Sequence, residues 1–198
     1  MLYINYITLP LAAAAGVLLL GAWYVSRAER REGDRRPFAA AFGAGGLILA
    51  VTGFHLSLTW PIPAQYNIAF GEPLAYFGTL LVIGSVALSR GVNLGPLSVL
   101  GALGGVINLV AAVAIFRYRL TWITMTATSM FGASGLAAVL FPLRNRSTLV
   151  RLAIAALLLI AGALFAATAC TAHLHHLAPG SFDQWLPAPA RGAPWAGH

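Results

Sequence analysis

Histidine and cysteine are the side chains of this sequence best suited to chemistry, and most of them gather near the end of one apolar segment. The sequence contains five histidines and one cysteine. Cys170, His173 and His176 follow one another at intervals of three residues. A helix turns about 100° per residue, so these three side chains should share one face while His175 lies on another.

A fourth candidate ligand, His55, is expected at a similar depth in the second apolar segment, about 27 Å along a helix from Pro37. If the ends of these two segments meet, imidazole and thiol groups converge there, and both suit zinc, copper or the axial positions of haem b. The predicted metal ligands are His55, Cys170, His173 and His176. The predicted haem ligands are His55, His173 and His176.

The histidines have a second interpretation that the sequence leaves open. A histidine at a membrane interface can simply be solvated or packed, and Cys-x-x-His-x-x-His is not an established metal motif. A glycine-rich phosphate loop, a nucleophile elbow and a paired set of catalytic carboxylates are all missing from the sequence. Nothing in the sequence therefore predicts an enzyme.

The segments that would position these residues are those of a polytopic membrane protein. Hydrophobic residues form 59% of the chain and charged residues 9%, whereas a soluble domain carries about 25% charged residues. An all-α transmembrane bundle of about six spans is predicted, since each span needs about 20 apolar residues. The predicted spans are 6–26, 38–58, 73–90, 96–116, 122–143 and 149–177.

The arginines predict how the bundle is oriented in the cell membrane. All twelve basic residues are arginine, and positive-inside bias places the loop Arg27–Arg36 in the cytoplasm. Both termini are then outside. The nine arginines expected inside are Arg27, Arg30, Arg31, Arg35, Arg36, Arg90, Arg144, Arg146 and Arg151. Only Arg117, Arg119 and Arg191 are expected outside, and a miscounted span between Gly91 and Trp122 would move the first two.

The chain is expected to form one transmembrane domain over residues 1–177, followed by an outer Pro/Gly/Ala-rich tail over 178–198. The first segment has no positive region before it, which favours an uncleaved anchor. The lipid bilayer is the predicted partner. Glycine-rich helix faces also allow self-association or contact with other membrane subunits. The net charge of +7 comes from topology-setting arginines, so nucleic acid is not a predicted partner.

A further segment carries a family resemblance. The segment over 59–73 is rich in proline and aromatic residues and is expected to fold over the mouth of the bundle. The stretch from Thr52 to Gly78 resembles an uncharacterised family of small prokaryotic polytopic membrane proteins, known as a domain of unknown function. The resemblance implies no activity. The residues that belong to its most distinctive patch are His55, Trp60, Tyr66, Asn67 and Glu72. The last four are predicted to support or cap the site.

These observations favour an accessory or redox-associated membrane subunit with a metal or haem site at its outer face. The first alternative is a transporter or channel for a small neutral solute, with Thr124, Thr128 and Asn108 along its path. The second is a purely structural subunit of a larger complex. The sequence shows no acidic or basic residue near the middle of a span, where ion-coupled transporters usually keep one.

Overall fold

The computed structural model describes residues 7–28, 35–62 and 65–178, and every regular element within them is helical. The six helices are α1 (Thr8–Trp23), α2 (Arg36–Thr59), α3 (Glu72–Ser89), α4 (Gly95–Tyr118), α5 (Thr124–Leu140) and α6 (Thr148–His176). Tyr24–Ala28 extends α1 as a π-helical turn, and Asn67–Gly71 leads into α3 in the same way. A short 3-10 turn, Phe141–Leu143, follows α5. Most of the expected tail, from 179 onward, lies outside the described residues.

All six helices, taken with the turns that extend them, are long and apolar enough to cross a membrane. This confirms the expected number of spans for the described part of the chain. The region between Gly91 and Trp122 contains one continuous helix of 24 residues, α4. Arg117 and Arg119 therefore lie at the opposite end of α4 from Arg90.

Local sequence signals explain where the helices begin and end. Proline stands in the first turn of α2, α3 and α4, where the missing N–H group would have no helical partner in any case. Ser147 caps α6, because its side chain accepts a hydrogen bond from the Val150 amide at 3.2 Å. Trp60 and Arg119 end α2 and α4 with positive φ angles of 47° and 48°.

The helices form a closed ring in chain order. Each one packs against its predecessor and its successor, and α1 closes the ring by packing along α6. The pair α2 and α3 has the most extensive contact, whereas α3 and α4 share the thinnest interface. Where the start of α1 meets the end of α6, Thr8 Oγ1 lies 3.3 Å from His176 Nδ1.

Glycines bring the backbones of α2 and α3 together. A Cβ atom added to Gly53 would overlap the backbone of Ala75, and one added to Gly78 would overlap the backbone of Ala50. Gly105 of α4 and Gly135 of α5 form a similar contact, where an added Cβ would lie 2.7–2.9 Å from the opposite carbonyl oxygen. Small residues at these contacts allow the close packing by which membrane helices associate.

The alternating helices give the ring two chemically distinct ends. We call the end where α2, α4 and α6 finish the histidine end, since it carries His55, His173, His175 and His176. We call the other the arginine end, since it carries Arg27, Arg36, Arg90, Arg144 and Arg151. There the guanidinium of Arg144 lies 4.5 Å from the centre of the Phe141 ring and donates a hydrogen bond to the Phe141 carbonyl oxygen at 3.2 Å.

We predict that Gly53→Ala and Gly78→Ala each destabilise the bundle by about 1–3 kcal/mol, because the new methyl group forces α2 away from α3. The matched control is Gly16→Ala in α1, where an added Cβ meets no atom within 4 Å. Alanine is the better helix former, so the control should unfold at the same or a higher temperature. Thermal unfolding of the purified variants in detergent measures the difference. Equal stability of all three variants would contradict this packing.

The second prediction concerns sidedness. In a Cys170→Ser background, Gln65→Cys at the histidine end should react with an impermeant maleimide on intact cells. Asn145→Cys at the arginine end should react only after the membrane is opened, because the arginine end is expected in the cytoplasm. Both positions are exposed in the structure. Reaction of Asn145→Cys on intact cells, with Gln65→Cys protected, would reverse the expected orientation.

Candidate functional site: a cavity inside the ring of helices

His55 lies near the end of α2, and its side chain is exposed. One partner belongs to the same helix, since Thr59 Oγ1 lies 3.5 Å from His55 Nδ1 and also donates to the His55 carbonyl oxygen at 2.7 Å. Helix α1 packs against both α2 and α6, while α2 and α6 share no extended interface. The expected meeting of His55 with the histidines of α6 therefore gains no support from this arrangement.

The predicted ligands on α6 have different surroundings. Cys170 and His173 are exposed, whereas His176 is half-buried and lies beside Thr8 of α1. His175, which the spacing had set apart, lines the interior together with His176. Within the part of the chain that the structure describes, no three His, Cys, Asp or Glu side chains are grouped so that they could hold a metal ion. A zinc, copper or haem b site stays a prediction from the sequence alone.

The residues of the distinctive patch have structural roles that can now be stated. Asn67 is fully buried, and its amide closes the segment after α2: Nδ2 donates to the Ile62 carbonyl oxygen, and Oδ1 accepts from the Ile62 amide at 3.3 Å. Trp60 and Glu72 are exposed at the same end of the ring. Tyr66 lies over the interior. Asn67 therefore closes the turn after α2 and Tyr66 lines the interior, while the capping role of the segment stays a prediction from the sequence.

The interior of the ring contains a cavity of about 1040 Å³ that all six helices line. On α1 alone the lining runs from Ile7 to Val25, which is about 27 Å at 1.5 Å per residue. The cavity therefore extends from the histidine end to the arginine end. Its volume spread over that length gives a mean cross-section of about 40 Å², enough for one branched or two straight hydrocarbon chains.

The lining is apolar and uncharged. Aliphatic and aromatic side chains predominate, and none of the described lining residues is Asp, Glu, Lys or Arg. Ser85 and Ser98, toward the arginine end, donate to carbonyl oxygens of their own helices at 2.8 and 2.6 Å. Polar side chains gather at the other end, where Thr121, Thr171, His175 and His176 line the cavity.

A row of aromatic rings crosses the cavity in the half nearer the histidine end. Tyr66 stacks on Phe70 with ring centres 6.1 Å apart, Phe70 meets Phe131 of α5 edge-on at 5.8 Å, and Phe131 lies 6.2 Å from Phe165 of α6. All four rings line the cavity. They therefore link the residues just before α3 to α5 and α6 across the interior, and they offer flat apolar surfaces to a bound molecule.

Asn108 is the polar group deepest in the cavity. It lies in the middle of α4, and its Nδ2 donates to Ser134 Oγ of α5 at 3.1 Å. Its Oδ1 is buried and has no hydrogen-bond partner. Of the three residues expected along a solute path, only Asn108 lines the cavity. Thr124 instead donates to the Thr121 carbonyl oxygen at 2.5 Å, and Thr128 is a half-buried residue of α5 whose Oγ1 is buried.

Gly84 of α3 and Gly101 of α4 leave open space beside the cavity. Both line the cavity, and a Cβ added to either would meet no atom within 4 Å. The described hydrogen bond between α3 and α4 is that of the Tyr76 hydroxyl, which donates to the Leu100 carbonyl oxygen at 2.9 Å. Nearby, Gly104 of α4 packs against the rings of Tyr76 and Phe77.

Six helices long and apolar enough to cross a membrane surround a cavity without Asp, Glu, Lys or Arg among its described lining residues, as in a polytopic membrane protein. The family model described as "Protein of unknown function (DUF981)" matches residues 1–179, and the chain belongs to that family. No curated protein and no solved structure matches the chain significantly. The matched family is of the same kind as the uncharacterised family that residues 52–78 resemble.

The metal hypothesis can be tested on the purified protein. Because α1 separates α2 from α6 and Cys170 and His173 are exposed, we predict no Soret band and less than 0.1 equivalent of zinc or copper, on the order expected for weak surface histidines. Visible absorption and elemental analysis of protein from metal-supplemented cells measure both. A Soret band, or one equivalent of metal, that is lost in His55→Ala but kept in His175→Ala would establish the site predicted from the sequence.

Proposed function

We propose that this protein binds one uncharged, lipid-type molecule lengthwise inside the ring of helices. The observation that carries the proposal is the cavity of about 1040 Å³, which runs the length of the bundle with no charged side chain among its described lining residues. Ligand cavities in proteins have volumes of about 300–1000 Å³ and mostly apolar linings with a few polar groups. This cavity has both properties.

The chemistry of the lining supports an apolar occupant. An apolar cavity that stays empty loses the dispersion contacts that its wall atoms would otherwise make. Water does not compensate, because it needs two to four polar partners and most of the lining has none to offer. Hydrocarbon chains fit both the width and the chemistry, and the surrounding bilayer supplies them at high local concentration.

The thin interface between α3 and α4 supports entry from the bilayer. Gly84 and Gly101 place no side chain in the way, and Tyr76 provides the one described hydrogen bond between these two helices. A lipid-type molecule can then pass sideways into the ring without crossing the polar histidine end. A water-soluble ligand would have to enter past the aromatic row instead.

This function is compatible with the expected role as a non-catalytic accessory subunit. Aliphatic and aromatic walls bind and orient a molecule rather than react with it. A redox association would then come through a lipid-soluble carrier held in the cavity and would not require a metal.

The test is to fill the cavity at a position that tolerates a side chain. Gly101→Leu places four carbons in open space on the cavity side of α4. The matched control is Gly16→Leu, since Gly16 also has open space around its Cβ position but is exposed on α1 and does not line the cavity. Both variants carry the same substitution in a helix, so differences in helix propensity cancel.

We predict that Gly101→Leu lowers binding of a hexadecane that carries a mid-chain diazirine by about tenfold, because overlap with the new side chain costs roughly 1.4 kcal/mol. Gly16→Leu should bind like the wild type. Photolabelling of each protein in lipid nanodiscs, followed by mass spectrometry of peptides from α4 and α5, measures occupancy. Equal labelling of the two variants, or labelling confined to exposed faces in the wild type, would refute the proposal.

A further inference from the structure

The side chain of Asn108 is an amide at the depth of the hydrocarbon core. Asn108 comes 13 residues after Gly95 and 10 before Tyr118, about 20 and 15 Å from the ends of α4. It is 7% exposed, so more than nine-tenths of the residue is buried. A buried amide group without a partner costs about 1–3 kcal/mol, which makes each of its hydrogen bonds important.

The hydrogen bonds available inside the bundle do not satisfy this amide. Nδ2 donates to Ser134 Oγ, and the Ser134 hydroxyl in turn donates to the Phe131 carbonyl oxygen at 3.2 Å. The amide oxygen has no partner. Exchanging the oxygen and nitrogen by turning the amide lets Ser134 donate to it, but then the NH₂ group is left without an acceptor. In either orientation one end of the amide is unsatisfied.

The surroundings leave room for a ligand to satisfy it. Asn108 lines the cavity, and Gly101 lies two turns earlier on the same face of α4 with open space beside it. On α5, Gly135 packs beside Asn108, where an added Cβ would lie 3.1 Å from the Asn108 Cβ. The torsion between Cβ and Cγ of an asparagine is soft, so its free end can turn toward a bound molecule.

We infer that Asn108 recognises a hydroxyl group on the molecule in the cavity, which makes the ligand a long-chain alcohol. This inference rests on the proposed function and specifies its ligand. A hydroxyl both donates and accepts, so it satisfies the amide in either orientation. A phosphate or carboxylate lipid fits less well, because the described lining contains no Arg or Lys to pair with its charge.

Thr121 provides a second, weaker recognition point. Thr121 lines the cavity at the histidine end, and its Oγ1 is buried without a partner. That end carries Thr171, His175 and His176 as well, so polar groups there can exchange partners with one another or with water. Asn108, in the middle of α4, has no comparable set of polar neighbours with which to exchange partners. The selectivity for a hydroxyl is therefore assigned to Asn108.

The experiment compares two probes that differ by one atom: hexadecan-1-ol with a mid-chain diazirine and the corresponding hexadecane. Competitive photolabelling of the wild type in nanodiscs should favour the alcohol by about tenfold, since one hydrogen bond to a buried group is worth about 1.4 kcal/mol. Asn108→Leu has the same number of side-chain heavy atoms and no polar side-chain atom. It should lose the preference for the alcohol, so that the ratio of labelling by the two probes falls to about one.

Ser134→Ala separates recognition from packing. If Asn108 serves only to join α4 to α5, Asn108→Leu and Ser134→Ala should lower the unfolding temperature alike and neither should alter the preference for the alcohol. If Asn108 binds the hydroxyl group of the ligand, the Ser134→Ala variant keeps the preference for the alcohol. Equal labelling of the wild type by both probes would overturn the inference and leave the proposed function intact, whereas labelling by neither would overturn both. The wild-type comparison stands even if a variant fails to fold.

Discussion

The close approach of the α2 and α3 backbones is the contact on which the rest of the ring depends. In a membrane, helices gain little from hydrophobic burial against one another, so packing of atoms in contact and hydrogen bonding must hold them together. Gly53 and Gly78 let each backbone enter the groove of the other, and Gly105 with Gly135 does the same for α4 and α5. These two tight pairs fix two walls. The space between the walls is then set by larger side chains such as Phe70, Phe131 and Phe165, which meet across the interior without filling it.

The number of helices and their class could be predicted from the sequence because they follow from a local property. A run of about 20 apolar residues between polar breaks must cross the bilayer wherever its neighbours lie. A miscounted span between Gly91 and Trp122 would have moved Arg117 and Arg119, and the continuous α4 leaves them at the histidine end. The glycine-rich helix faces expected from the sequence pack tightly only in part. Gly46 and Gly105 do contact neighbouring helices, whereas Gly101 and Gly132 do not pack tightly against one.

The site could not be predicted in the same way, because a cavity depends on which helices are neighbours. Spacing on α6 grouped Cys170 with His173 and His176, but it carries no information on which face turns inward. The structure turns Thr168, Thr171, Ala172, His175 and His176 toward the interior, and the first of these is linked to Met130. Asn108 was expected along a solute path, and in the structure its amide donates to Ser134 of α5. That its oxygen would be left without a partner follows only from the three-dimensional arrangement.

The interfaces of the ring are unequal, and this has a mechanical consequence. The hairpin of α2 and α3 joins the remaining four helices through α1 and α4, and these are the two thinnest contacts between neighbours in the described ring. Helices α2 and α3 form the tightest pair, so they can move together as one rigid body, and neither helix has to bend or unwind. To part from α4, this pair gives up the Tyr76 hydrogen bond and the packing of Gly104 against Tyr76 and Phe77. The gap that results faces hydrocarbon along its whole length, so a chain leaving the bilayer would never meet water on its way in.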